Sequence, residues 1–230
     1  MGTRFRLLLI FLGALAIIAT YTFPIWQPFF EPVERNEDFP GLEESLQEAY
    51  LSLSTRERTL YLTMLRDEGS TFTLPILRAA IGSGTQVPIN RQIRPDVQNG
   101  VQIASTEFQQ IALDDDFYSD FIDDEDASPY RDLWEAEGEI TVWQFPAEDK
   151  LIWIQDLVVT NGPDLHIGLS VNPVPLSFEN MGENYFDLGA LQGNSGNQGY
   201  LLGGDVDFEI YNSVVIFDET YRVVFAVAPF

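Results

Sequence analysis

Hydrophobic positions dominate one run near the start of the chain, from Leu7 to Phe23, with no charged residue inside it. A helix that spans a bilayer needs about 20 apolar residues. Basic residues precede the run and acidic residues follow it, so the positive-inside rule places the N-terminus in the cytoplasm. A cleaved signal peptide is the alternative, but Ala14 and Ala16 lie inside the apolar core and not after it. We predict that residues 1–24 are a cytoplasmic N-terminus and a single-pass anchor in the cell membrane, with the rest extracytoplasmic.

The pattern of apolar positions then becomes helical. Prolines recur between residues 24 and 40, which indicates a stiff, extended exit from the membrane. Apolar residues repeat at helical spacing from Leu42 to Leu53. Ser54 followed by Glu57 fits a capping box that starts a second helix, and Gly69 fits its end.

A third helix is predicted near Leu74–Ile81, and residues 82–99 have the composition of a linker. Residues 25–98 are therefore predicted to be a Pro-rich exit, a helical hairpin and a linker. Because amphipathic helices usually bury their apolar stripe locally, we expect the helices to pack on one another or on the outer domain. Docking of a partner protein is the alternative.

After Gly138 the period changes to that of strands. The segments GEITVWQF and LIWIQDLVVT suggest a hairpin, and LHIGLSV, SVVIF and YRVVFAV read as further strands separated by turn residues. Frequent short strands without interleaved helices indicate an antiparallel β-sandwich or barrel. We therefore predict a mainly β fold, with the β domain over residues 99–230.

Charge and cysteine content exclude several classes of function. The chain of 230 residues has a net charge of −24, which opposes binding to nucleic acid. It contains no cysteine, so there is no thiol nucleophile, disulfide or iron–sulfur cluster. The acidic stretch DDDFYSDFIDDED at residues 114–126 lacks the glycine of an EF-hand loop. It is predicted to be a solvated loop, with calcium binding as the alternative.

Three blocks in the C-terminal half resemble a known family. They are NGPDLHIGLS at residues 161–170, LGALQGNSGNQGYLL at 188–202 and YNSVVIFDETYRVVFAVAP at 211–229. In this order they are similar to the DM-thirteen domain, an electron-transfer domain first described in the Skeletor protein. The resemblance implies an all-β extracytoplasmic domain, often tethered to a membrane, with a proposed redox role. It covers roughly the last hundred residues and says nothing of residues 1–98.

The redox role that the resemblance implies depends on a cysteine at the end of the strand in the third block. Asp218 stands at that position in this chain. Since a carboxylate cannot perform thiol chemistry, we predict a non-catalytic binding or structural module of the cell envelope, with other envelope proteins as partners. Membrane-associated electron transfer through a bound redox cofactor is one alternative, and calcium or glycan binding is another.

The first block holds the only histidine of the chain, His166. The Asn-Gly sequence supplies a turn that tolerates positive φ, and a strand from Leu165 would then place Asp164 and His166 on the same, more polar face. A carboxylate can orient an imidazole, but no serine nucleophile motif accompanies the pair. The interpretation favoured here is a strand-entry turn with a hydrogen-bonded histidine and no catalytic site.

The second block contains GNSGNQGY at residues 193–200, in which side-chain amides are expected to hydrogen-bond the backbone of a wide turn or to present themselves to a sugar. The candidate ligand-binding residues in the family motifs are Asn161, Gly162, Pro163, Asp164, His166, Asn194, Gly196, Asn197, Gln198, Tyr200 and Asp218. The candidate calcium ligands are Asp164, Asp187, Asp205 and Asp207.

Overall fold

Three helices open the part of the chain that the computed structural model describes, which comprises residues 38–82, 88–89, 96–108 and 130–230. They are α1 (Glu44–Ser52), α2 (Thr55–Glu68) and α3 (Ser70–Ile81). The predicted capping box is present. The Ser54 hydroxyl accepts from the Glu57 N–H at 3.2 Å, and the Glu57 carboxylate accepts from the Ser54 N–H at 2.8 Å.

The third helix begins earlier than predicted. Gly69 ends α2 and also precedes the first residue of α3, with φ of 82°. This left-handed conformation is open to glycine at little cost, so the chain reverses between the helices without a linker. The helix α3 begins at Ser70, five residues before Pro75, which lies inside it.

The strands of the described ranges form two sheets. Their bounds are β1 (Pro88–Ile89), β2 (Val101–Glu107), β3 (Ala136–Gln144), β4 (Lys150–Val159), β5 (Leu165–Ser170), β6 (Phe186–Ala190), β7 (Ser195–Leu202), β8 (Ser213–Asp218) and β9 (Val223–Pro229). One sheet has the order β1-β7-β4-β3-β2 and the other β6-β5-β8-β9. The pairs are antiparallel, except for a two-residue parallel pair between β1 and β7. The predicted antiparallel β domain is confirmed, as two sheets.

The main core lies between the two sheets. Alternate residues of β3 and β4 bury their side chains in the same cluster as alternate residues of β5 and β8. The innermost, fully buried members are Ile140, Val142, Ile152, Ile154, Ile167, Leu169, Val214 and Ile216. This alternation sets which face of β5 and β8 points outward, and therefore where the candidate site residues lie.

The helices share this core with the sheets. Tyr50, Tyr61 and Met64 belong to the same buried cluster as the strand residues. Phe72 of α3 makes an edge-to-face contact with Tyr221, with ring centroids 5.6 Å apart. Residues 38–230 accordingly form one compact unit. The expectation that the helices pack locally, on one another and on the β domain, agrees with these contacts.

Three predicted segments fall wholly or mostly outside the described residues. They are the membrane anchor at residues 1–24, the Pro-rich exit up to residue 37 and the acidic stretch at 114–126. Within the described ranges, no helix has both the length and the apolar character needed to cross a bilayer. The predicted linker at residues 82–99 contains the short strand β1. Its proline is the first residue of a strand at the sheet edge, where a missing N–H is tolerated.

Candidate functional site

The turn before β5 carries the first family motif. Gly162 is not among the glycines with positive φ, so the turn does not use the tolerance that glycine offers. A Cβ there would lie 2.6 Å from Leu165 Cδ2 and 3.0 Å from Phe225 Cζ, so a larger residue would displace these side chains. The Asn161 amide donates to the Ala79 carbonyl of α3 at 3.1 Å. The motif turn is thus packed on the sheet below it and bonded to the helical part.

Asp218, at the position where the family resemblance implies a cysteine, is fully buried at the end of β8. One carboxylate oxygen accepts from the Asp164 N–H and the other from the Tyr221 N–H, each at 2.8 Å. The Thr220 N–H is a further backbone donor to this group. Asp218 therefore joins the first motif to the turn between β8 and β9.

The local environment changes the acidity of Asp218. Burial raises the pKa of its carboxyl above the ordinary value, because a charge loses hydration inside the protein. The backbone N–H groups of Tyr221, Asp164 and Thr220 oppose this shift of the pKa, and the nearby Asp164 carboxylate adds to it. The net direction is upward, so this carboxyl holds its proton more tightly than an exposed aspartate does.

The same turn is fixed by a second set of bonds. The Thr220 hydroxyl donates to Asp164 Oδ2 at 2.7 Å, and the Glu219 N–H donates to the Asp164 carbonyl at 3.0 Å. Asp218 is the last residue of β8, and the turn to β9 comprises residues 219–222. The first and third motifs thus form one hydrogen-bonded corner of the sandwich.

His166 lies on the outer face of β5 between two carboxylates. Its Nδ1 is 2.9 Å from Asp187 Oδ2, and its Nε2 is 3.7 Å from Asp164 Oδ1. The prediction that Asp164 and His166 share a face is confirmed. The stronger partner, Asp187, comes from β6, which pairs with β5. Sequence spacing could not identify it, because the choice of sheet neighbour depends on the whole fold.

The outer face of β5 is less exposed than its polar residues suggested. Ser170 is fully buried, and its hydroxyl donates to the Met181 carbonyl at 3.0 Å. Phe217 belongs to a second apolar cluster on this face with Phe178 and Met181. The connection between β5 and β6 supplies Phe178 and Met181, and no periodicity in the sequence marks it as a cover.

The second motif is mostly strand, so the predicted wide turn at residues 193–200 is wrong from Ser195 onward. The expected amide-to-backbone bonds exist. Asn197 Oδ1 accepts from the Asp156 N–H, and Gln198 accepts from the Gln192 N–H. Gly196 has φ of 94°, in the left-handed region, at a register shift between β4 and β7.

Tyr200 completes a buried polar group with Gln198. Its hydroxyl donates to Gln198 Oε1 at 2.9 Å and accepts from the Gln192 N–H at 3.1 Å. Burial raises the pKa of Tyr200 to about 12, so the phenol stays protonated. The polar groups of Gln198 and Tyr200 bond to each other and to the Gln192 N–H, which indicates a structural role in the second motif.

Two cavities meet at the motif residues Asn161 and Asn194. The smaller, about 250 Å³, is lined by the turn before β5 and the connection between β6 and β7, including Pro163 and Asp164. The larger, about 630 Å³, lies between α2, α3 and the strand ends at the start of β3 and the end of β4. Asn194 is 5% exposed, and its Oδ1 has no hydrogen-bond partner among the described residues. A buried acceptor of this kind requires a donor, from water or from a ligand.

The four candidate calcium ligands are not brought to one place. Asp164 and Asp187 flank His166, whereas Asp205 and Asp207 lie in the connection between β7 and β8. Asp207 accepts from the Glu209 N–H and caps a short helical turn. Among the described residues there is no cluster of three or more histidine, cysteine, aspartate or glutamate side chains suited to a metal ion.

The fold and site define an antiparallel β-sandwich whose motif turn, buried carboxylate and amide-lined cavities lie at one corner. Residues 131–230 match the family described as Electron transfer DM13. The C-terminal part of the chain, from just before β3 to the end of β9, is thus identified as a DM13 domain. Comparisons with curated proteins and with solved structures gave no match.

Proposed function

We propose that this protein is a non-catalytic binding module of the cell envelope, held at the membrane by its N-terminal apolar segment. The observation that carries the proposal is Asp218. Its carboxylate replaces the thiol on which the family's redox role depends, and it is buried and bonded to backbone donors. A group in this position supports the fold and cannot accept or release electrons.

The binding part of the proposal is supported by the cavities at Asn161 and Asn194. Both residues belong to family motifs, and both line the two cavities. The unpaired Asn194 Oδ1 offers a buried acceptor. A cavity of about 630 Å³ is within the range of small-molecule sites. Other envelope proteins are the class of partner that a tethered domain would meet.

The anchoring part rests on the apolar run from Leu7 to Phe23. The test is extraction of membranes with alkaline carbonate. The full chain should stay in the pellet, and a chain that begins at Asp38 should be released. Release of the full chain would refute the anchor and leave the binding proposal standing.

The non-redox part is tested by the absorption spectrum and metal content of the full chain purified from its native membrane. We expect no visible band and no change on addition of dithionite. A band that bleaches or shifts with dithionite would overturn the proposal, because it would show a bound redox group.

Electron transfer through a bound cofactor is the second candidate. The family match favours it. His166 is a nitrogen ligand of the kind that redox metals use, but both ring nitrogens already face carboxylates. His166 also lines neither of the cavities described above. The present residues therefore fit such a group less well than they fit a binding role.

A further inference from the structure

The larger cavity has walls from the helical part and from the sheet. Glu57 comes from the first turn of α2, and Glu135 and Glu137 come from the start of β3. Asn161 and Asn194 line it from the two family motifs. The cavity is therefore formed only when the helices are packed on the β domain.

Its charged groups are unbalanced. Four acidic residues, Glu57, Asp132, Glu135 and Glu137, line the cavity beside one basic residue, Arg56. Arg56 already forms a salt bridge with Asp132. The Glu57 carboxylate already accepts from the Ser54 N–H, which leaves Glu135 and Glu137 as the acidic residues available to a ligand. Like charges repel one another, and the net charge of −24 adds to this repulsion. A cationic ligand would relieve it.

The second observation is independent of the carboxylates. Asn194 lines the same cavity and is 5% exposed, and its Oδ1 has no hydrogen-bond partner within the part of the chain that the structure describes. Its amide nitrogen lies 3.5 Å from the Val159 carbonyl oxygen, at the outer limit of a hydrogen bond. A buried acceptor requires an N–H or O–H donor. Carboxylates and an amide oxygen together favour a ligand that is cationic and carries several N–H or O–H donors.

We propose that the cavity between α2, α3 and β3 binds an organic cation through an ammonium or guanidinium group. Asn194 Oδ1 accepts one hydrogen bond from the cation, and the carboxylates of Glu135 and Glu137 neutralise its charge. This inference rests on the proposed binding function and names the ligand class of that cavity. The cation is either a free polyamine or a lysine or arginine side chain of a partner protein.

The test is calorimetric titration of the full chain with two probes, spermidine and a short peptide that alternates lysine and glycine. Binding of spermidine alone would identify a free polyamine, and stronger binding of the peptide would identify a protein side chain. Triacetylated spermidine keeps the shape and loses the charge, so it should not bind. Binding of the acetylated probe as tight as that of spermidine would overturn the proposal.

A matched pair of variants separates the site from general attraction to an acidic protein. Glu137→Gln removes a carboxylate of the cavity, and Glu139→Gln removes one from the same strand that does not line it. Both variants have the same net charge. We expect Glu137→Gln to weaken binding by about twofold to fivefold and Glu139→Gln to leave it nearly unchanged. Equal effects would show that binding is nonspecific and would refute the site.

Asn194→Ala tests the hydrogen bond directly, and we expect about tenfold weaker binding of spermidine. Unchanged affinity would refute the role of Asn194. If Asn194→Ala fails to fold, the comparison of Glu137→Gln with Glu139→Gln still tests whether the cation binds in this cavity. Failure of all cations to bind, in a protein without a redox group, would refute the cation and leave the binding function. A dithionite-sensitive chromophore would instead refute the binding function itself.

Discussion

Asp218 has a structural role at the position where the family resemblance implies a reactive cysteine. A cysteine at the end of β8 would offer a thiol, whereas the carboxylate accepts backbone hydrogen bonds from both motifs at the corner. Because the Asp218 carboxylate is fully buried, these backbone hydrogen bonds take the place of its hydration. The residue type was visible in the sequence. Its partners were not, since they come from two separate turns.

The variant Asp218→Asn should be less stable at neutral pH by about 1–3 kcal/mol, because the new amide N–H₂ would face a backbone donor. Denaturant unfolding of the full chain measures this. The control is Glu219→Gln, which changes an exposed neighbour and should stay within about 0.5 kcal/mol of the native chain. Equal stability of Asp218→Asn and the native chain would contradict the structural role.

A separate prediction concerns how the stabilities of the native chain and of Asp218→Asn depend on pH. Burial raises the pKa of Asp218 in the folded state above 3.8, so folding favours the protonated carboxyl. The contribution of Asp218 to the free energy of unfolding therefore falls as pH rises from 3.8 through the raised pKa. Asp218→Asn does not titrate, so the stability advantage of the native chain should shrink across that window. An advantage that grows with pH would contradict the direction of the pKa shift.

At the level of elements, local signals in the sequence were sufficient for the helices and for most strands. The Ser54–Glu57 capping box located the start of α2, and the turn residues before Leu165 located the start of β5. The second motif was misread because its glycines and amides are typical of turns, yet they occupy β7 at a bulge. Tertiary pairing with β4 overrode the local preference there.

The capping box also tests whether helices and sheets unfold together. Ser54→Ala removes the cap and should lower the stability of the whole unit by about 1 kcal/mol. Far-ultraviolet circular dichroism reports the helices, and three of the four tryptophans, Trp134, Trp143 and Trp153, lie in or next to β3 and β4, so fluorescence reports the sheets. Both transitions should shift together.

The control for this variant is Ser45→Ala, which lies exposed inside α1 and should not lower stability. A shift of the dichroism transition alone would show that the helices form an independent unit. That outcome would contradict the shared core.

At the scale of the whole molecule, the sequence predicted a β domain with a helical part but not how closely the two are joined. The joint depends on long-range contacts such as Asn161 with Ala79 and Tyr130 with Asp67. No local sequence pattern marks either pair, because the partners are far apart in the sequence. The larger cavity exists because of this joint, so no motif search could have found it.

The net charge leads to a prediction for the full chain. With 36 acidic and 12 basic residues, the folded state is opposed by its own repulsion. Raising sodium chloride to about 0.5 M shortens the screening length well below its value of about 10 Å at 0.1 M. The melting temperature in an uncharged detergent should therefore rise. A fall would show that attractive ion pairs outweigh the repulsion.

The central claim is that the family motifs of this chain build a binding site and carry no electrons. Its most direct test is a spectroelectrochemical titration of the full chain purified from its native membrane, beside the variant His166→Ala. The account predicts no reversible electron uptake by either protein. Reversible uptake by the native chain that is lost in His166→Ala would contradict it, because a redox group would then be bound at the lone imidazole.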